Sequence, residues 1–590
     1  MAIYYFDINS GDDTTGVGSI GNPYKTFSKA NTVLTAGDIG YFRSGTWISD
    51  PIIPANSGTS SNYITYKAYP GETVILDGAS IASPAKAVDI NTAKQYIEVN
   101  GFEIQDWNGP AVEVGTNATA NNGVRLLNLT IHDINIADQP AIILYSLSDV
   151  LIDNCVIYNI GYVFGSYSST GFGIKVSGTQ NISNMTVSNC DISRTGSDLI
   201  ALTSNGVKSD ILIENNVLHE NFESIEHPDG INLKNIIGCT IRNNIIYDST
   251  QLIYLPMESI NNLVIEDLYI YGNVFYNDRY DEEEAGTSPG IFIDARFGTT
   301  NKVIQNIEVY NNTFGYLGRP GIQVSADAFL YSADNIKIRN NIFNSQGASA
   351  ISLASAFTNI DSDYNCYYNT PVYSGEGSHS FTADPQFSAP GYADYHLLST
   401  SPVIDVGDPL LSNIMVSFPS PFEDIDVILR PFGSGIDFGA FEFFELEEET
   451  FVVSALSGSR ATRLSLLSIP ANAISTYWEI TPQYEDLFTI ITTISGTISS
   501  NVLYSDLSIL DIWLPPSGNY SIRIKHKLDD GSLTSWSSVT DFTSRESLNS
   551  YEKYWVLSSL INTTTTVLPD NTTTTSIAGE EPDNIDVIED

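Results

Sequence analysis

Cysteine, basic residues and long apolar segments are all scarce in this sequence. The 590 residues include four cysteines, too few for a disulfide scaffold and without the CxxC spacing of a zinc site. Lys and Arg number 26 against 70 Asp and Glu, a net charge of −44. This charge argues against nucleic acid and anionic membranes as partners, because phosphate recognition needs basic patches. No apolar run reaches transmembrane length, so we expect no membrane insertion.

The chain is nevertheless rich enough in apolar residues, at 42%, to bury a large core. Its length suits two or three domains or one long solenoid. The opening "MAIYYFDINSGDD" shows no basic segment followed by an apolar one. We therefore expect either a protein made without a secretion signal, as virion proteins are, or one whose signal has been replaced.

A short polar pattern returns about every thirty residues, as in "NNVLHEN", "NNIIYDS" and "NNIFNSQ". Its variable interval indicates structural coils with loops inserted at the corners. If one polar slot points inward in every coil, stacked Asn amides can hydrogen-bond head to tail. The slot is predicted at Asn128, Cys155, Cys190, Asn216, Asn244, Asn273, Asn312, Asn341 and Cys366, with Gly101 one coil earlier.

Between these slots lies a second pattern, a small residue followed by alternating apolar residues, as in "GFGIKV", "PDGINL" and "PGIFID". Such alternation over four to six residues predicts a strand with one buried face. Two or three short strands per coil, bounded by Gly, Asn and Asp turns and without helices, predict parallel coils stacked about 4.8 Å apart. Cys155 and Cys190 could then lie close enough for a disulfide, although nothing requires one.

Both ends of the repeat fit this architecture. An amphipathic stretch, Phe27 to Leu34, is predicted to cap the first coil, and "RPFGSGIDFGAFEF" to close the last. With the opening "YYFDINSGDD", these features resemble the right-handed parallel β-helix (pectate-lyase-like) superfamily over roughly residues 3–445. That superfamily contains polysaccharide lyases, polygalacturonases and phage tailspikes. The Asn-Thr-Asp and Gly-His-Gly signatures of polygalacturonases are absent from the coils.

The predicted fold class is all-β, with four segments along the chain. Residues 1–60 form the cap and first strands, and residues 61–445 form the β-helix. Residues 450–545 resemble a fibronectin type III-like β-sandwich with Trp478 in its core and Tyr520, Arg523 and Trp536 on neighbouring strands. Residues 546–590 are Thr-rich and then acidic, as expected for a linker or a tail that orders on assembly.

Three long connections, residues 161–171, 219–230 and 277–290, are predicted to meet at one corner of the solenoid. Such loops carry function on a repeat scaffold, and these contain aromatic and acidic side chains that suit an extended sugar chain. The sheet beside this wall is predicted to present an outward column, Glu113, Ile143, Lys175, Ala201, Asn232, Tyr254, Phe292, Gln323 and Ser352. Alternatively, a neighbouring chain of a trimer covers this face.

From that face we predict a set of polysaccharide-binding residues. Tyr254 and Phe292 should be adjacent and able to stack on sugar rings, whereas His227 is a single loop histidine without a second ligand at metal spacing. No metal and no cofactor are therefore predicted. The predicted binding residues are Tyr254, Phe292, Lys175, Asn232, Lys234, Arg296 and His227.

The candidate catalytic residues are carboxylates. Alignment of "SDLIAL" with "PDGINL" places Asp198 and Asp229 in successive coils, with Gln251 next in the column. Two carboxyl groups so close suit a retaining glycosidase, and Glu226 or Asp294 could supply a more distant partner for inversion. The alternative is that both aspartates only cap the turn through backbone N–H groups.

The resemblance and the predicted groove together favour a phage tailspike-like virion protein that binds and cleaves a host-surface polysaccharide. As implied by that resemblance, its partners would be the polysaccharide and other virion proteins, and it would be a homotrimer. Hydrolysis is favoured over β-elimination because carboxylates abound and basic residues are scarce. The alternatives are a secreted bacterial polysaccharide lyase or hydrolase, and a non-catalytic carbohydrate-binding adhesin or structural fibre.

Overall fold

The structure is a computed structural model of the whole chain. It describes residues 1–79, 85–90, 94–116, 121–134, 139–163, 166–167, 171–179, 181–221, 228–256, 263–277, 289–296, 303–326, 332–346, 349–354, 359–409, 423–426, 428, 430–431 and 433–443 and, beyond residue 450, nine strands. The chain divides into two compact units, residues 1–420 with 430–443, and residues 421–429 with 444–590.

Three parallel sheets form the first unit. Sheet A contains 13 strands, Ile3–Phe6, Ile39–Phe42, Ile64–Ala68, Ile97–Asn100, Asn121–Leu127, Leu147–Asp153, Ile182–Ser188, Lys208–Glu214, Ile236–Arg242, Val264–Tyr271, Val303–Tyr310, Ser332–Arg339 and Ile360–Asp363. Sheet B contains 13 strands, Gly45–Ile48, Val74–Asp77, Glu103–Gln105, Thr130–Ile134, Val156–Ile160, Asp191–Ser193, Val217–His219, Ile245–Tyr247, Val274–Tyr276, Thr313–Phe314, Ile342–Asn344, Cys366–Tyr368 and Phe381–Thr382. Sheet C contains 10 strands, Val88–Ile90, Val112–Val114, Ile142–Leu144, Ile174–Val176, Ile200–Leu202, Asp229–Leu233, Gln251–Pro256, Ile291–Ala295, Ile322–Ala326 and Ile351–Leu353.

From Val88 onward, each coil passes through sheets C, A and B in that order, and strands pair with their equivalents in the next coil. Strand Ile200–Leu202, for example, pairs in parallel with Ile174–Val176 on one side and Asp229–Leu233 on the other. The apolar residues of all three sheets line one continuous core. This is the predicted parallel β-helix, and its alternating apolar pattern arises because one face of every strand is buried.

The Asn ladder is confirmed, with a correction at both ends. Asn216 donates from Nδ2 to Asn244 Oδ1 at 2.9 Å, and the same bond repeats in the following coils. The last ladder residue is Asn365, because strand register aligns Cys366 with Ile342, one position beyond the ladder residue Asn341. The equivalent of Cys155 in the first coil is by the same criterion Leu129, which is buried. The remaining ladder residues are Cys190, Asn273 and Asn312.

Asn128 instead occupies the turn between sheets A and B, immediately before the ladder position. Its φ is 53°, and the matching residue Gly101 has a φ of 81°. This left-handed conformation is accessible to Gly and Asn with little steric cost, which explains why Asn recurs there. The sequence pattern therefore contains two Asn positions, one in the turn and one pointing into the core. The predicted slot falls on the wrong one of two neighbouring residues at both ends of the ladder.

Both ends of the core are covered. Helix α1, Phe27–Val33, begins after Thr26, whose side chain accepts from Lys29 N. The ring of Phe27 stacks on Phe42 at 4.0 Å, which confirms the predicted cap. At the other end, Asn365 Nδ2 donates to Glu376 Oε1 at 2.8 Å, so a carboxylate terminates the Asn ladder. A hairpin of Phe387–Ala389 and Asp394–Leu397, joined by the 3₁₀ helix Pro390–Tyr392, follows.

The closing segment, within residues 430–443, packs against the last coils as predicted. Asn311 Nδ2 donates to Asp437 O at 2.7 Å, and Gly439 N donates to Asn340 O at 2.8 Å. All four cysteines of the chain are buried free thiols, so the Cys155–Cys190 disulfide is not formed.

The second unit contains antiparallel strands. Three strands form one sheet, Phe451–Ala455, Thr462–Leu466 and Ile509–Ile512, and four form another, Ile494–Ser495, Ala473–Pro482, Asn519–Leu528 and Thr540–Thr543. Trp478 pairs with Ile524 in the larger sheet, whereas Trp536 lies outside the described residues. The strands Thr563–Val567 and Thr573–Ile577 form a hairpin within the segment predicted to be a tail. The fibronectin type III-like sandwich stays a prediction.

Candidate functional site

The outer face of sheet C carries the predicted column of side chains. Strand register places Lys175, Ala201, Asn232, Tyr254 and Phe292 opposite one another in five successive coils. The pairing continues in both directions to Glu113 and Ser352, which confirms the column. Within the described residues, no helix is long and apolar enough to cross a membrane.

A bend at the start of each sheet C strand brings a further residue to this outer face. Ile231 is buried, and a Cβ added at Gly230 would meet the core residue Ile246 at 2.8 Å, so two consecutive positions face the core. The residue before them, Asp229, therefore faces outward and reaches Asn232. Simple alternation from Ile231 would have placed Asp229 inside the solenoid.

Asp198 and Asp229 occupy equivalent positions in adjacent coils, as predicted. Asn232 Nδ2 donates to Asp198 Oδ2 and to Asp229 Oδ2, at 3.1 Å in each case. Asp229 N also donates to Asp198 Oδ1 at 3.1 Å. One amide group thus holds the two carboxyl groups together.

Both carboxyl groups are removed from solvent, with Asp198 5% and Asp229 2% exposed. Burial raises the pKa of Asp198 to about 7, against the lowering effect of its hydrogen bonds and of Lys175 and Lys234. Burial, and then the charge of Asp198, raise the pKa of Asp229 well above its usual range. The two groups titrate as a pair, and Asp229 is the one that holds its proton to higher pH.

Apart from Gln251, the neighbours of this pair in the same outward column are apolar. Strand register aligns Asp198 and Asp229 with Phe172 one coil earlier and with Gln251 one coil later. The column continues on both sides with proline, at Pro110, Pro140, Pro289 and Pro320. Three consecutive polar residues therefore interrupt an apolar column, a signal that was present in the sequence but is visible only once the coils are aligned.

The other predicted catalytic residue on this face, Asp294, lies away from the pair. It is two coils beyond Asp229, about 10 Å along the axis, and five residues further along the strand direction, in the column of Lys234. Arg296 binds it with both Nε and a terminal nitrogen, at 2.9 and 2.7 Å. Asp294 is therefore engaged in an ion pair.

The predicted aromatic pair is adjacent but unequally accessible. The ring centroids of Tyr254 and Phe292 lie 5.6 Å apart at 31°. Phe292 is only 7% exposed, so Tyr254 offers the larger ring surface. On the side of Asp198, Lys175 Nζ lies 3.7 Å from the ring centroid of Phe172.

The predicted loop wall joins sheet B to sheet C. All three long connections lie between a strand of sheet B and the following strand of sheet C, which confirms that they share one corner. Glu226 and His227 belong to this wall but lie outside the described residues. The described residues also contain no group of three or more His, Cys, Asp or Glu side chains able to hold a metal ion.

Comparison with known proteins supports the fold. The family model described as "Right handed beta helix region" matches residues 87–293. Together with the three parallel sheets, this match confirms the predicted resemblance: the first unit is a right-handed parallel β-helix. No protein of curated function matches the chain in sequence.

Several solved structures are similar to this chain at low sequence identity. The pectate lyase Pel9A is 16% identical, with 75% of this chain and 96% of that chain covered and a TM-score of 0.44. The GH136 lacto-N-biosidase from Eubacterium ramulus is 12% identical, with 65% and 68% covered and a TM-score of 0.39. A rhamnogalacturonan lyase is 15% identical, with 66% and 91% covered and a TM-score of 0.38.

Proposed function

We propose that this protein binds an extended polysaccharide along the outer face of sheet C and hydrolyses it at Asp198 and Asp229. The observation that supports this proposal is the shared amide of Asn232, which holds two buried carboxyl groups of adjacent coils 3.1 Å from one nitrogen atom. Retaining glycosidases use two carboxyl groups about 5–5.5 Å apart. A turn cap would not require both groups to be buried side by side with raised pKa values.

The two carboxyl groups have different roles in this proposal. Asp198 is the nucleophile, because two hydrogen bonds and the charges of Lys175 and Lys234 favour its ionised form. Asp229 is the acid, because it retains its proton beside an ionised Asp198. Asp229 gives its proton to the glycosidic oxygen while Asp198 attacks the anomeric carbon. Water then attacks the glycosyl ester and returns a proton to Asp229, which restores both groups.

We prefer hydrolysis to β-elimination because of the contacts that the predicted basic residues make. Elimination on a uronate needs a base and a positive group that neutralises the sugar carboxylate. Arg296 is bound to Asp294 through two nitrogen atoms, which leaves Lys175 and Lys234 beside the pair. Their charges lower the pKa of Asp198, which suits a nucleophile that must be ionised near neutral pH.

We also propose that the protein is a trimeric, tailspike-like component of a virion that contacts a host-surface polysaccharide and other virion proteins. This part follows from the sequence resemblance alone. Mass spectrometry of purified virions tests it, and recovery of the protein only from a bacterial culture medium would favour the secreted lyase or hydrolase instead.

The catalytic proposal is tested by replacing Asp198 and Asp229 separately with Asn and measuring the chain length of candidate polysaccharides. Each variant should cleave at least about 100-fold more slowly, because general acid and nucleophilic roles contribute at least that much. Asp210→Asn, an exposed aspartate of sheet A, is the matched control and should retain the parental rate.

The parental rate should rise with pH through about 7 as Asp198 loses its proton, and fall again when Asp229 does. Parental cleavage by both Asn variants would overturn the assignment of the pair. Products that absorb in the ultraviolet as unsaturated uronates would overturn hydrolysis. If the protein binds a polysaccharide without shortening its chains, the non-catalytic adhesin is the remaining interpretation.

A further inference from the structure

The corner next to the acid pair contains buried oxygen atoms that accept no hydrogen bond. They are Asp229 Oδ1, Asn232 Oδ1 and Gln251 Oε1. Asp229 and Gln251 pair in the backbone register of successive coils, so the three atoms belong to adjoining positions. A buried acceptor without a donor has lost its hydrogen bonds to water without forming others, which costs free energy. Asp229 is 2% exposed and, as the acid of the pair, carries its own proton, so the acceptors left without a donor are the two amide oxygens.

The orientation of the Asn232 amide is fixed by its neighbours. Its Nδ2 donates to both Asp198 Oδ2 and Asp229 Oδ2. Turning the amide over would place its oxygen against two carboxyl oxygens and is unfavourable. Asn232 Oδ1 must therefore face away from the pair, where it adds an acceptor to the corner.

A cation that bridges both carboxyl groups fits this arrangement poorly. The space between the two Oδ2 atoms already contains the Asn232 Nδ2 group, 3.1 Å from each. A divalent ion bound to the same two oxygens would approach the hydrogens of that amide, whereas such ions require oxygen ligands. What the amide oxygens of Asn232 and Gln251 lack is a hydrogen-bond donor.

We infer that Asn232 and Gln251, next to Asp229, form a subsite for an uncharged sugar unit, which donates neighbouring hydroxyl groups to their two amide oxygens, and that a uronate carboxylate is excluded there. The inference rests on the proposed function for the chain that enters this site. Sugar hydroxyl groups are donors as well as acceptors, whereas a carboxylate is an acceptor only. A carboxylate in this subsite would face further acceptors and the charge of the acid pair.

The subsite lies on one side of the acid pair along the solenoid axis. Gln251 lies one coil beyond Asp229, and Lys175 lies one coil before Asp198. The inference concerns only the sugar unit at Gln251, so a negative group near Lys175 remains compatible with it. A unit without a carboxylate also lacks the group that makes β-elimination possible, which agrees with hydrolysis.

The test measures binding separately from cleavage. The probes are uronate-containing bacterial capsular polysaccharides, each used as isolated and after chemical reduction of its carboxyl groups. The Asp198→Asn background prevents cleavage during equilibrium dialysis. In this background we expect the reduced chains to bind more tightly than the unreduced ones, and Gln251→Leu to weaken their binding by about three- to tenfold, as the loss of one hydrogen bond would.

Gln251→Arg should reverse the preference in favour of the unreduced chains, because it supplies a charged donor to the subsite. Gln305→Arg, a glutamine of sheet A and therefore off the proposed binding face, is the matched control and should leave the preference unchanged. Failure of every chain to bind, equal binding by Gln251→Leu and its parent, or tighter binding of unreduced chains by the parent would overturn the inference.

Calcium offers a further decisive outcome. One calcium ion bound per chain in the parent and lost in Gln251→Leu would assign the three oxygens to a cation and overturn the subsite. A confirmed preference without cleavage by the enzyme with Asp198 intact would retain the subsite and remove the hydrolytic function, so the two proposals fail separately.

Discussion

The Asn ladder makes a quantitative prediction for Asn273→Ala. Asn273 Oδ1 accepts from Asn244 N and Nδ2, each at 2.9 Å. Its Nδ2 donates to Ile241 O, Tyr271 O and Asn312 Oδ1, at 2.9 to 3.1 Å. Alanine removes these partners from groups that are buried, and each group left without one costs about 1–3 kcal/mol. We therefore expect the free energy of unfolding to fall by about 4 kcal/mol.

Urea denaturation followed by circular dichroism measures this effect. The control is Asn184→Gly, an exposed Asn with a φ of 52°, a conformation that glycine adopts easily; its effect should stay within about 0.5 kcal/mol. Asn273→Cys should give an intermediate loss, because Cys155 and Cys190 occupy equivalent positions in other coils. Equal midpoints for Asn273→Ala and Asn184→Gly would refute the view that the ladder stabilises the solenoid.

Three further predictions concern buried groups. Burial lowers the pKa of Lys208 to about 7, so between pH 7 and the usual lysine pKa the unfolded chain binds more protons than the folded one. The contribution of Lys208 to the free energy of unfolding therefore rises with pH across that window. Lys208→Met should abolish this part of the rise in the urea midpoint between pH 7 and 10. Arg430→Met leaves the buried Glu442 without its 2.9 Å ion pair and should lower the free energy of unfolding by roughly 3–5 kcal/mol, most of it regained in Arg430→Met/Glu442→Leu. Cys155 and Cys190 are buried with the other thiols, so a thiol-specific dye should label the native chain at less than one site and the unfolded chain at all four, and rapid native labelling would contradict the described burial.

The sequence was sufficient to predict the coils because the same structural requirements recur in every coil. Every strand has one buried face, and from residue 101 onward every turn between sheets A and B begins with a residue at positive φ. The ladder was misassigned by one residue at Asn128 and Cys366 because turn Asn and ladder Asn are neighbours in sequence. Only strand register, which depends on contacts between coils, separates the two positions.

The acid pair was predictable for a different reason. Its two aspartates share a position in aligned strands, so parallel stacking alone places them together. The role of Asn232 was not predictable, because it depends on the bend that turns Asp229 outward instead of into the core. Likewise, Asp294 was a reasonable candidate by position, but its ion pair with Arg296 is visible only in the structure.

From Asn100 onward, the turn between sheets A and B keeps a length of two residues, whereas the connection from sheet B to sheet C varies from residues 248–250 in one coil to residues 277–290 in another. Length therefore varies most at one corner, next to the face that carries the acid pair, and varies less in the connection from sheet C to sheet A, from residues 234–235 in one coil to residues 257–263 in another. Loops there can be exchanged without disturbing the ladder, and duplicating a whole coil would lengthen the face by one fixed step. New loops at this corner could therefore change which polymer the solenoid contacts while its fold stays the same.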